Sequence, residues 1–144
     1  MTSWQEIPQP VQDDLDALVS SALDTAQGLL DRNGELFPFG VTVDPRGDVA
    51  VVHGDPGPGE QPLSQDVLDL LHDGARHERD GLRAMAFVAD VRLADSNAIR
   101  VELEHREHDE ALVVLAPYRL TGLLRKRARF GDLGFLGGTR RVWP

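Results

Sequence analysis

Residues 98–105, Ala-Ile-Arg-Val-Glu-Leu-Glu-His, alternate between apolar and charged side chains, and no other feature narrows the fold as far. In an extended chain Ile99, Val101, Leu103 and His105 share one side, while Arg100, Glu102, Glu104 and then Arg106 share the other. A period of two predicts a strand with one side on a core and the other toward water or a partner. The flanking runs differ. Residues 112–116 are continuously apolar and 84–89 nearly so, which predicts strands covered on both faces.

Two helices are predicted to pack on this sheet. Over residues 10–31, Val11, Leu15, Leu18, Ala22, Ala26 and Leu29 recur every three or four positions and line one helical face. Pro10 suits the first helical position, and Asn33-Gly34 supplies a left-handed stop. Over residues 65–80, Val67, Leu68, Leu71 and Ala75 form the buried stripe, with Ser64 as N-cap and Leu63 stapled onto Leu68. Gly74 inside this helix predicts close packing against the sheet, and His72, Asp73, Arg76, His77 and Arg79 are assigned to the wet side. Between the helices, residues 36–43 and 48–53 read as a hairpin turning at Asp44-Pro45-Arg46-Gly47, with Phe37, Phe39, Val41 and Val43 on one face. Pro38 cannot donate to a ladder, so this strand is expected to start at an edge or a bulge. Residues 54–62 hold three Gly and three Pro without dinucleotide or P-loop spacing, and read as a stiff surface connection.

The element order is α-β-β-α-β-β-β, followed by a basic segment. We expect an α+β fold: a five-stranded, mostly antiparallel sheet with two main helices, resembling roadblock and profilin-like folds by analogy of topology. Residues 1–118 are read as one domain and 119–144 as a basic segment packing on it or on a partner. Leu120 to Phe130 is read as a short helix.

The residues Phe37-Pro38-Phe39-Gly40, Gly47-Asp48, Asp90-Val91, Ala98-Ile99-Arg100-Val101-Glu102-Leu103-Glu104-His105 and Pro117-Tyr118 resemble a family of small uncharacterised bacterial proteins. That family shares an F-x-P-F-G hairpin and an A-I-x-V-x-L-E strand. The resemblance spans about residues 34–118, implies the fold, and brings no activity or functional residue with it.

Charge bears on partners. The chain carries 24 acids against 15 bases, a net −9. Residues 119–144 hold seven bases and one acid, so they carry +6 and the remainder carries −15. A polyanion is repelled by most of such a surface, so neither nucleic acid nor membrane is expected as a partner. With no Cys there is no disulfide, thiolate nucleophile or cysteine-held metal. Nothing at the N-terminus has the charge and apolar pattern of an export signal, so a cytoplasmic location is expected.

Candidate chemistry is sparse. His72 and His77 are five apart, unlike a zinc-protease pair, and His105 and His108 point apart at a strand end, so no metal or cofactor is expected. No serine sits in a nucleophile elbow, and no catalytic residue is assigned. Carboxylates flanked by Arg have lowered pKa values, which suits ion pairing more than proton transfer. The expectation is therefore a non-catalytic protein-interaction module, a homodimer that also accepts an acidic protein. Its interaction residues are Arg100, Glu102 and Glu104 on the strand and Arg125, Arg127, Arg129, Phe135 and Trp143 in the tail. The alternative is a small-molecule-binding protein or small hydrolase-like enzyme with a pocket near His53 and His105.

Overall fold

A computed structural model describes residues 6–54 and 63–144. The Gly/Pro connection at 55–62 lies outside the described residues. The elements run α1 (Gln9–Asn33), β1 (Phe39–Val43), β2 (Val49–His53), α2 (Ser64–Glu78), a 3-10 turn (Arg79–Gly81), β3 (Ala84–Arg92), β4 (Asn97–His105), β5 (Leu112–Thr121), β6 (Arg127–Phe130) and β7 (Gly134–Gly137). The fold is α+β and the sheet is antiparallel throughout, in the order β2-β1-β3-β4-β5-β6, with β7 also paired to β5.

The sheet has seven strands where five were expected, because the basic segment forms strands and not a helix. β5 runs on past Tyr118 to Thr121, turns at Gly122 and returns as β6. Gly122 takes φ 119°, and a Cβ there would collide with the Arg125 carbonyl oxygen, so glycine is what permits this turn. β6 and β7 occupy the same side of β5, pairing with its C-terminal and N-terminal halves respectively. Helical spacing in a short segment with alternating bases is outweighed by the open ladder of β5 beside it.

α1 covers one face of the sheet. Val11, Leu15, Leu18, Ala22, Ala26 and Leu30 pack on Phe39, Val41, Val43, Ala84, Ala86, Val88, Ile99, Val101, Leu103, Val114 and Ala116. The stripe closes on Leu30, with Leu29 only half buried, and Gly34 ends the helix in the left-handed conformation with its N–H on Leu30 O at 2.8 Å. Pro38 lies just outside β1, as its missing donor requires, but β1 is an inner strand and β2 is the edge. Phe37 falls before the strand and is exposed.

α2 covers the other face through Val67, Leu71 and Ala75, which meet Met85, Phe87 and Leu82, and Val142 from the C-terminal segment joins the same cluster. β3 therefore has α1 against Ala84, Ala86 and Val88 and this second layer against Met85 and Phe87, which is why its sequence loses alternation. Four local expectations for α2 fail. Leu63, not Ser64, stands at the cap with no side-chain hydrogen bond, and Leu63 is exposed, so no staple forms. His72 is buried, not wet. A Cβ on Gly74 would have nothing within 4 Å, so Gly74 marks open space and not close packing. No described helix is long and apolar enough to cross a membrane.

Candidate interaction site

The charged side of β4 is covered by the chain itself. Glu102 sits between His72 of α2, whose Nε2 lies 3.4 Å from Glu102 Oε2, and Arg100, whose guanidinium donates to Glu102 Oε1. Arg141 Nε approaches the same carboxylate at 4.0 Å. Burial alone would raise the Glu102 carboxyl, but His72 and Arg100 outweigh it and bring its pKa down to about 2. The His72 ring meets Phe87 edge-on at 4.3 Å. A carboxylate held this far down stays charged and pairs; it does not pass protons near neutral pH.

Glu104, two residues on, is buried and receives the C-terminal segment. Its carboxylate accepts the Val142 N–H at 3.0 and 3.2 Å and the Trp143 N–H at 3.3 Å. Val142 is completely buried, and Arg106 stacks over the Trp143 ring at 5.9 Å. The end of the basic segment thus docks on its own sheet, and Arg100, Glu102, Glu104 and Trp143, taken from the sequence as contacts for a partner, engage one another or α2.

His105 and Asp14 form a second polar cluster, beneath α1. His105 Nε2 lies 2.8 Å from Asp14 Oδ2, Arg83 donates to Asp14 Oδ1 at 2.7 Å, and the Glu107 N–H donates to His105 Nδ1 at 3.0 Å. The acceptor role of Nδ1 places the ring proton on Nε2, facing Asp14. Burial would raise the Asp14 carboxyl, yet Arg83 and His105 together lower it. Both ring nitrogens are taken and His105 is fully buried, so the cluster clamps α1 to the end of β4 and offers no proton to a substrate. No sequence pattern singles out Asp14, although it sits on the apolar stripe between Val11 and Leu18. At the opposite end of the sheet, Tyr118 donates to both oxygens of Asp90 at 2.9 Å. Burial raises both groups, Tyr118 to about 12, and the Asp90 charge adds to the tyrosine's shift. Among the described residues, no three His, Asp or Glu side chains converge to hold a metal.

His53 and His105 do not meet. His53 ends β2 and lines a cleft of about 450 Å³ between α2 and the β1–β2 hairpin, whose other walls include Val52, Leu71, Ala75, Leu82 and Met85, with Glu78 among its polar residues. His105 is buried under α1.

Exposed apolar and basic side chains line the two sheet edges. β2 reads Val-Ala-Val-Val-His and is exposed along its whole length, with Val49, Val51 and Val52 each about 40% open. Its inner side pairs with β1, centred on Val41 opposite Val51, and among the described residues nothing pairs with its outer side. At the other edge, β6 carries Arg127 and Arg129, both exposed, and β7 exposes Phe135 and Leu136. Arg125 lies in the exposed turn before β6. An edge studded with Arg is blunted against pairing; an edge of valines is not. No family model, curated protein or solved structure matches the chain.

Proposed function

We propose that this protein is a non-catalytic interaction module that forms a homodimer by pairing β2 of one copy with β2 of another. The observation that carries the reading is the outer edge of β2, five residues without Lys, Pro or any carboxylate, and open along its length. Unpaired N–H and C=O groups on such an edge template another strand. Antiparallel self-pairing about Val51 is two-fold, hence closed at two copies. Val51 then meets Val51 of the other copy, with Val49 opposite its His53 on the same face, and Val52 meets its Ala50 beside Leu70 on the other face. Each cross-strand apolar pair contributes about 0.2–1 kcal/mol. Five-residue strands alone are small for a stable interface, so exposed Phe37 and Leu70 extend the contact. An acidic protein as a second partner rests on the arginines of β6.

Light scattering coupled to size exclusion tests this. The untagged chain is expected at twice 15.8 kDa, and Val51→Lys at 15.8 kDa with unfolding free energy changed by less than about 0.5 kcal/mol. A wild type that runs as a monomer at its highest soluble concentration, or a Val51→Lys dimer, overturns the reading.

A ligand-binding reading has one observation in its favour, the apolar cleft beside His53 left open at Gly74. Native mass spectrometry of freshly purified protein separates the two: retained small-molecule mass on a monomer favours the cleft, and bare dimers favour the edge.

A further inference from the structure

The β5–β6 hairpin carries a combination that neither edge pairing nor the docked C-terminus uses. β4 last pairs with β5 at Asn97 opposite Tyr118, so residues 119–121 of β5 and their β6 partners extend past the neighbouring strand. At the tip, Leu123 and Leu124 are 102% and 104% exposed, the most open apolar side chains described. Behind them stand Arg119, Arg125, Lys126, Arg127 and Arg129, all exposed, none in an ion pair among the described residues of a protein with net charge −9. Arg119 and Arg129 lie directly opposite each other across the ladder, a like-charge pairing that destabilises a hairpin unless an anion sits between them. Both line a hollow of about 420 Å³ with Ser96, Tyr118 and Thr121, to which Asp95 also contributes.

The hairpin is held in place from beneath. Gln27 of α1 donates to Ala128 O at 3.1 Å, and the Ala128 N–H donates to Asp31 Oδ1 at 2.7 Å, while Ala128 itself is buried. Two leucines beyond a collar of five cations, on an arm clamped at its base, match a surface that is apolar inside and anionic outside. We infer that the β5–β6 hairpin docks this protein onto an anionic phospholipid bilayer, with Leu123 and Leu124 inserted among the acyl chains and lipid phosphates at Arg119 and Arg129. A nucleic acid explains the cations but gives the leucines no apolar medium. The overall negative charge, which argued against membranes from sequence, acts weakly here. Charges farther than about 8 Å from the lipid are screened at physiological salt, so the hairpin's own cations dominate the contact.

Flotation of the full chain with vesicles tests the inference. Binding is expected to phosphatidylcholine vesicles containing one part in three phosphatidylglycerol, and not to phosphatidylcholine alone. Leu123→Ser with Leu124→Ser is expected to weaken partition at least about tenfold, since burying even one leucine accounts for that much. Arg119→Gln with Arg129→Gln is expected to weaken it by about twentyfold or more, at roughly fivefold per cation. No partition at low salt overturns the proposal. So does a leucine variant that binds as tightly as wild type, because cations alone then bind any polyanion, nucleic acid included. A leucine variant that changes mass in solution also overturns it, by making the tip a contact between proteins. The β2 edge lies across the sheet, so Val51→Lys leaves partition of the monomer measurable if self-pairing fails.

Discussion

Replacing Glu104 by Ala tests whether one buried carboxylate holds the C-terminal segment on the sheet. The substitution leaves the Val142 and Trp143 amides without their acceptor. A buried amide that loses its partner costs about 1–3 kcal/mol, fully for Val142 and partly for the less buried Trp143. Removing the carboxylate also relieves its own burial, which pulls the sum down. If the segment lets go, the loss becomes the burial of Val142, about 1.5–3 kcal/mol, plus water reaching Met85 and Phe87. Both routes give a destabilisation of about 2–4 kcal/mol in urea unfolding. Glu104→Gln keeps one acceptor oxygen and is expected to cost about half as much. Trp143 reports directly, because release takes its ring from Arg106 into water. In a Trp4→Phe background, the only other tryptophan being absent, its emission should move to the red in Glu104→Ala. Deleting residues 142–144 in that background should add little, since both changes remove the same contact. A Glu104→Ala cost below about 0.5 kcal/mol with unshifted emission would refute the clamp.

Two further predictions concern stability. The folded pKa of Glu102, about 2, lies below its ordinary 4.5, so its contribution is complete above pH 4.5 and is lost as the pH falls toward 2. That contribution is on the order of 2–3 kcal/mol, and Glu102→Gln should flatten the fall in unfolding free energy across this window; an unchanged acid profile would show that the pairing contributes nothing. Gly74→Ala should stabilise by about 0.5–1 kcal/mol in thermal unfolding, because a helical glycine is replaced where a methyl meets nothing within 4 Å. Destabilisation there would mean that Gly74 is held by contacts the helix face does not reveal.

Local regularities set most of the elements. The three-and-four spacing of Val11, Leu15 and Leu18 defined α1, and Gly34 ended it, because a helix stop needs only a residue tolerant of positive φ. The alternation at 98–105 defined β4 and placed Ile99, Val101 and Leu103 on the core side, but the charged side, expected to face water or a partner, is covered by α2 and the C-terminal segment. Where neighbours decide, the sequence was silent or misleading. His72 reads as polar, but it is buried because Glu102 waits for it on β4. The β5–β6 hairpin has helical spacing and became strand because β5 had an open edge.

The sites divide in the same way. The charged residues of β4 were visible as a group, yet what they contact, α2 and the chain's own C-terminus, depends on which elements fold over that face. That β2 is an edge and β1 an inner strand follows from β3 adding beside β1, a long-range choice that no local pattern encodes. The sequence by itself determined the α+β class, both helices, the two-faced character of β4 and the split of charge between body and tail, all set by residues within a few positions of one another. Only the tertiary structure decided which polar groups are satisfied and which apolar ones are left open, because burial and pairing are properties of residues far apart in the chain and brought together by the sheet.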